Sequence, residues 1–388
     1  MKLGVVKTID VGNGPTGVVA KPDGTRVYVA HNSTVSVISC ATNTVTNTLL
    51  VEPDAAFAAV NPAGTRVFLS HFRYAGGASG VSAINTTNHN IAHTPLNGQT
   101  WGVAVSPDGA RVYATSGYPY DDGGSVVYVI DATSLQIIAT IDEILVPRWV
   151  AVSPDGSRVY VTTTGPSEGL SIIDAATHSV VDHLPLGVLG DVKVSPDGSR
   201  IYLTQAYSEN SGAVLVVDAQ SQAVVQTIPV GGAPGRVAVT ADGSRLFVTG
   251  NTGDPSNTKS LVTVLDLTTN AATDIISLGF GAPDVATIPL AEAVDTAYVP
   301  HPFEDTVSVI GKVFKLEGWH PPDLVGQTVG GVDVGGGGWI IVGNHFYKVP
   351  PRDPVFSSVL TALARVSTRF SGKPVENRGL AAKLRKMR

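Results

Sequence analysis

The apolar positions of this chain alternate instead of recurring every three or four residues. In Val150 to Thr162, V-A-V-S-P-D-G-S-R-V-Y-V-T, Val150, Val152, Val159 and Val161 alternate with small or polar neighbours, which predicts two half-buried strands. Between them Pro154 presets φ, Asp155 tolerates the corner, and Gly156 takes the place that needs positive φ. Near-copies recur at Lys21-Pro22-Asp23-Gly24, Asn61-Pro62-Ala63-Gly64, Ser106 to Gly109, Ser195 to Gly198 and Thr240 to Gly243. A degenerate copy with a longer turn runs from Asp284 through Tyr298, and the period is 40 to 49 residues. Each unit adds a third strand ending in a step such as Val129-Ile130-Asp131, and a short fourth strand such as Val225 to Val230. Four antiparallel strands per unit of this length is the pattern of a propeller blade.

The ends of the array predict closure. The seventh unit supplies three strands, the third being Thr306 to Ile310, while Val5 to Val11 reads as a fourth strand without a first three. Pairing the two completes the last blade and leaves no open edge at the seam. The expected fold is therefore all-β, a seven-bladed β-propeller over residues 1–316 closed by the N-terminal strand.

The repeated S-P-D-G-S-R-V-Y-V-T and V-I-D-A-T segments, covering roughly residues 3–311, resemble the YVTN-type (surface-layer and lactonase-like) β-propeller repeat family. The resemblance implies this architecture. It implies little about chemistry, because propellers host many activities.

Residues 317–388 break the pattern. Gly330 to Gly338 reads as a flexible link, and Trp339 to Val349 as a short hairpin turning near Gly343-Asn344. Asp353-Pro354 can open a helix in which Val355, Val359, Leu363, Val366 and Phe370 share one face. From Asn344 onward ten Lys/Arg stand against Asp353 and Glu376, a net +8; the rest of the chain has 16 basic and 30 acidic residues, a net −14. A basic tail on an acidic propeller predicts docking of the tail, or self-association into a homo-oligomer through the helix. The basic run is short and lacks interleaved aromatics, so nucleic acid is not expected. Cys40 is the only cysteine, which removes any internal disulfide, and no segment is long and apolar enough to span a membrane. The N-terminal apolar run is too short for a signal peptide. That leaves two expectations, a cytoplasmic protein or an exported one whose leader has been removed.

Candidate chemistry is sparse. The Pro-Asp-Gly aspartates (Asp23, Asp108, Asp155, Asp197, Asp242) read as turn residues, and Asp131, Asp174, Asp218 and Asp266 as Asx-type caps after third strands. No nucleophile elbow, Walker loop or paired-cysteine zinc motif is present. One column differs. Three residues beyond the second-strand aromatics Tyr28, Phe68, Tyr113, Tyr160, Tyr202, Phe247 and Tyr298 stand His31, His71, Ser116, Thr163, Gln205, Gly250 and His301. The resembled family usually carries Asn there. Three histidines from neighbouring blades form a possible site for one divalent metal, Zn, Cu or Fe. In the alternative they hydrogen-bond the start of their own loops. At the ends of the inter-blade links, Trp101, Arg148, Trp149, Asp191, Arg236 and Asp284 converge on the channel mouth, a composition typical of a small-ligand site and equally of a polar rim.

Two functions follow. The first is a binding or scaffold propeller, taking a small ligand or protein partner on its loop-bearing face. The second is a metal-dependent enzyme, a lactonase-like hydrolase or oxidoreductase, with Glu304 or Asp305 as a base beside the histidines.

Overall fold

The structure is a computed structural model. It describes residues 2–72, 79–117, 125–208, 211–251, 259–279, 281–288, 296–313, 329–334, 337–342 and 345–348. The chain divides into two compact units, residues 1–314 and 315–388.

The first unit is seven four-stranded antiparallel sheets. Blade 1 spans residues 17–50, blade 2 55–95, blade 3 100–141, blade 4 147–184, blade 5 192–231 and blade 6 233–277. Blade 7 combines Ala286–Thr287, Ala297–His301 and Thr306–Val313 with the N-terminal strand Lys2–Asp10. The N-terminal strand pairs antiparallel with Thr306–Val313 from Lys2↔Val313 to Asp10↔Thr306, with an irregularity between Val5 and Lys7.

Apolar alternation buries both faces of every blade, and seven core clusters result, one per blade interface. Tyr28 and Val37 of blade 1 pack on Val67 and Ile84 of blade 2. Tyr160 and Ile172 of blade 4 pack on Ile201 and Val217 of blade 5. At the seam Ile9 packs with Val307 and Tyr298 against Val27 and Ile38 of blade 1. The second-strand aromatic thus always faces the following blade, while the aliphatic residues flanking it face the preceding one.

The turns behave as their chemistry requires. The Gly156 N–H donates to Ser153 O at 2.9 Å, and Gly156 holds φ +73°. Asp155 accepts from Ser153 Oγ at 2.5 Å and from the Ser157 N–H at 3.0 Å. Asp131, Asp174, Asp218 and Asp266 each accept two backbone N–H bonds in the turn that follows them. These bonds favour the ionised carboxylates, and side-chain donation from Ser195 and Thr268 brings Asp197 and Asp266 down to about 2.

In the second unit, Val329–Val334, Gly337–Val342 and His345–Lys348 form a three-stranded antiparallel sheet. Glycines 330, 331, 337 and 338 therefore lie in strands, where the composition alone suggested a link. Backbone pairing does not need side chains, so a glycine-rich run can enter a sheet once a partner strand is available. The stretch Val355 to Phe370 lies outside the described residues.

Candidate ligand site in the propeller channel

The second and first strands of each blade meet at a fixed register, with Val19, Ala59, Ala104, Ala151, Lys193, Ala238 and Ala286 opposite the second-strand aromatics. Two residues earlier, the seven innermost strands or their entries present Gly17, Phe57, Gly102, Trp149, Asp191, Arg236 and Asp284 to the channel. Two of the glycines make room for large neighbours. A Cβ on Gly17 would lie 2.2 Å from Ala56 O, and one on Gly102 would lie 2.7 Å from Arg148 O. The backbones carrying Phe57 and Trp149 occupy that space.

In blades 2 to 6 a hydroxyl two places after the aromatic holds this ring; blades 1 and 7 carry Ala30 and Pro300 there. Thr115 Oγ1 accepts the Gly102 N–H at 2.8 Å and donates to Arg148 O of the next blade at 2.6 Å. Thr204 repeats both bonds, with the Asp191 N–H at 2.8 Å and Gly235 O at 2.9 Å. Thr162, Thr249 and Ser70 accept the corresponding N–H groups of Trp149, Arg236 and Phe57. The final Thr of V-Y-V-T therefore fixes the channel residue of its own blade and, in two blades, the link of the next.

The acids also bridge blades. Asp191 accepts the Val192 N–H at 2.9 Å and the Val237 N–H of blade 6 at 3.2 Å. Asp284 accepts the Val285 N–H at 2.9 Å and the Val18 N–H of blade 1 at 2.9 Å. Burial pushes the Asp284 carboxyl above the usual carboxylate range, although Arg236 pulls it back. Asp284 lines a cavity in the lower part of the channel.

Arg236 crosses the channel. Its guanidinium carbon lies 3.0 Å from the centroid of the Trp149 ring and 4.1 Å from that of Phe57. Nη1 is 3.6 Å from Asp191, and Nη2 is buried without a hydrogen-bond partner. Burial lowers its pKa, opposed by Asp191 and Asp284. Phe57 and Trp149 meet edge to face at 4.6 Å, Trp149 and Trp101 at 6.2 Å, and Trp101 and Phe72 at 4.3 Å. Arg148 covers the Trp101 ring at 3.9 Å. These contacts are cation–π and aromatic pairs in a desolvated setting.

The stack divides the channel into two cavities. The upper one, on the face of the inter-blade links, has about 500 Å³ and is lined by Phe57, Phe72, Trp101, Asn32, Asp54 and Pro283, among others. The lower one, about 330 Å³, extends from the ring toward the Pro-Asp-Gly turns and is lined by Asp191, Lys193, Arg236 and Asp284 on one side and by valines and alanines on the other. All six channel residues expected from the sequence thus meet in one region. Phe57, Phe72 and Lys193 were missed, although Phe57 shares a column with Trp149 and Arg236 once the first strands are aligned.

The histidines are arranged differently. Each Nε2 bonds a serine on the third strand of its own blade: His31 to Ser36 at 2.9 Å, His71 to Ser82 at 2.7 Å and His301 to Ser308 at 2.9 Å. The Nδ1 atoms of His71 and His301 face the link carbonyls of Pro53 and Gly281 at 2.9 Å, and that of His31 lies beside Gly12, short of hydrogen-bond geometry. A ring donating from Nδ1 must accept at Nε2, so both nitrogens of His71 and His301 are used. Ser116 and Gln205 fill the same column and hold the link carbonyls of Asn97 and Leu186 at 2.6 Å. Four of the seven column residues, His71, Ser116, Gln205 and His301, thus cap link carbonyls. Among the described residues no group of three or more His, Cys, Asp or Glu side chains is placed to hold a metal ion. Asp305, at φ +54°, accepts the Gly14 N–H at 2.9 Å, and Glu304 lies beside Gly279; both belong to the turn between the second and third strands of blade 7.

This architecture is that of a seven-bladed β-propeller, and comparison with solved structures agrees. Hydrazine synthase from Kuenenia stuttgartiensis matches with TM-score 0.65 and 19% identity over 78% of this chain and 96% of that one. The Cps50 (Swd1) β-propeller domain of Myceliophteria thermophila matches with TM-score 0.63 and 12% identity over 80% and 99%. At these identities the likeness is one of fold. No family model and no curated protein matches the chain.

Proposed function

We propose that this chain is a binding propeller whose link-bearing face takes a small ring-shaped ligand, such as a neutral sugar unit of a glycan, in the upper cavity. One observation carries the reading: an aromatic-lined cavity of about 500 Å³ with an amide and a carboxylate at its edge, Asn32 and Asp54. Rings such as Phe72 and Trp101 accept the apolar face of a sugar, while acceptors at the edge take its hydroxyls. Arg148 stacked on Trp101 and the glycine-seated Phe57 hold the platform before the ligand arrives, which lowers the ordering cost of binding.

The test is quenching of intrinsic tryptophan fluorescence by a panel of neutral oligosaccharides. A binder should lose roughly ten- to a hundredfold in affinity with Trp101→Ala, in the range of a buried aromatic anchor. Absence of any saccharide response, or a Trp101→Ala protein that binds like the parent, would count against the proposal.

A further inference from the structure

The lower cavity is a separate site with its own chemistry. Arg236, Phe57 and Trp149 lie between it and the upper cavity, and it reaches toward the turn-bearing face as far as Pro22 and Thr287. Its charged wall is incompletely paired. Lys193 and Arg236 both approach Asp191 at 3.6 Å, and the Lys193 side chain, 42% exposed, has donors open to solvent or a ligand. Arg236 Nη2 has no acceptor. On the same side of the cavity, Asp284 is held by two backbone N–H groups, and among the described residues no cation lies within ion-pair distance of it. A buried charge such as that of Arg236 is costly unless a partner completes it. The opposite wall is aliphatic, with Val18, Val103 and Val150.

A ligand matching the cations, Asp284 and the aliphatic wall carries an anionic acceptor, a cationic donor and a short apolar side chain. We propose that the lower cavity binds a small zwitterion of the aliphatic α-amino acid class. Its carboxylate would face Lys193 and Arg236, its ammonium Asp284, and its side chain the valines. A cavity of about 330 Å³ has room for such a molecule together with water.

Isothermal titration calorimetry of the full chain tests this with three probes: L-leucine, 4-methylpentanoate, which lacks the ammonium, and isopentylamine, which lacks the carboxylate. Leucine should bind, and each half-ligand should bind at least about tenfold more weakly, as expected for loss of one charge-assisted hydrogen-bonding group. Asp284→Asn should weaken leucine by a similar factor while binding 4-methylpentanoate no more weakly than the parent. Because Asp284 also joins blades 7 and 1, Lys193→Met provides a variant at a half-exposed side chain. It should keep the parent's circular dichroism and melting temperature and weaken both leucine and 4-methylpentanoate. Trp101→Ala should leave leucine binding intact, which separates this site from the upper one. No heat from leucine at about 10 mM, half-ligands as tight as leucine, or a folded Lys193→Met protein that binds leucine like the parent would each overturn the proposal.

Discussion

Gly156 shows how much one position carries. It holds φ +73°, where an L side chain is strained, and a Cβ there would meet Pro107 of the preceding blade's turn at 3.2 Å. The same seat recurs at Gly64 with Pro22, Gly198 with Pro154 and Gly243 with Pro196. Each turn proline thus rests on the next turn glycine, and one face of the ring becomes a staircase of these pairs. Gly156→Val should cost about 1–2 kcal/mol from the left-handed backbone, plus the displacement of Pro107. Chemical denaturation would measure it. A loss below about 0.5 kcal/mol would mean the turn relaxes to another form without cost.

At the level of the element, the N-terminal strand decides whether the ring is closed. Lys2–Asp10 covers the outer edge of Thr306–Val313 and buries Leu3 and Ile9, at 7% and 5% exposure. Removing residues 1–11 should cost roughly 3–6 kcal/mol from those two side chains alone, apart from the unpaired edge. On a domain of this size that lowers the melting temperature by roughly 10 °C. A truncated protein melting within a degree or two of the parent would show that the strand is dispensable. Neighbouring blades are also tied by arginines that begin the second strands. Arg66 donates to Ala132 O at 2.5 Å, and Arg111 to Ala175 O at 2.6 Å, each in the next blade. Arg158 and Arg200 turn instead to Asp174 and Asp218 of their own blades. One sequence position therefore serves either the interface or the blade, according to which acceptor is nearer.

Across the whole molecule, link caps and turn carboxylates are spread around the ring, so acid should attack it in two stages. Burial lowers the pKa of His71, His93 and His301, and lowers His31 from its ordinary 6.5 to about 4. These rings are neutral in the fold, whereas the unfolded chain takes up protons near pH 6.5. Their contribution is complete above pH 6.5 and is lost as pH falls from there toward about 4. For His31 alone this amounts to roughly 3 kcal/mol at the low end. A second loss follows below the ordinary aspartate value, as carboxylates such as Asp197 and Asp266 protonate toward pH 2. Melting curves from pH 8 to about pH 2 should show both. The triple variant His31→Asn, His71→Asn, His301→Asn keeps a donor and an acceptor at each link but cannot titrate, so its stability should change much less between pH 6.5 and pH 4. Equal slopes for variant and parent would mean that these histidines are not the acid-sensitive groups.

The sequence by itself determined the blades, their number and the closing strand, because those depend on local rules. Alternation sets which residues are buried between blades, Pro-Asp-Gly sets the turns, and a missing fourth strand at one end matches a spare strand at the other. It also placed Trp101, Arg148, Trp149, Asp191, Arg236 and Asp284 near the channel, since they sit at the ends of the links. Only the tertiary structure decided what these residues do. In several blades the pairing of first and second strands is interrupted just where the channel residues lie, between Thr100 and Val103, Pro147 and Val150, and Pro234 and Val237. Such an irregularity breaks the period of two, so alternation no longer says which way a side chain points. Arg236 thereby reaches across the channel to rings from blades 4 and 2, a contact between residues 87 and 179 positions apart in the chain. The histidines make the complementary case. Their shared column was visible in the sequence, but a column fixes only where the Cα atoms lie. His71 and His301 turn to the serine and the link carbonyl of their own blades, and His31 to its serine, because buried imidazole nitrogens take partners close at hand.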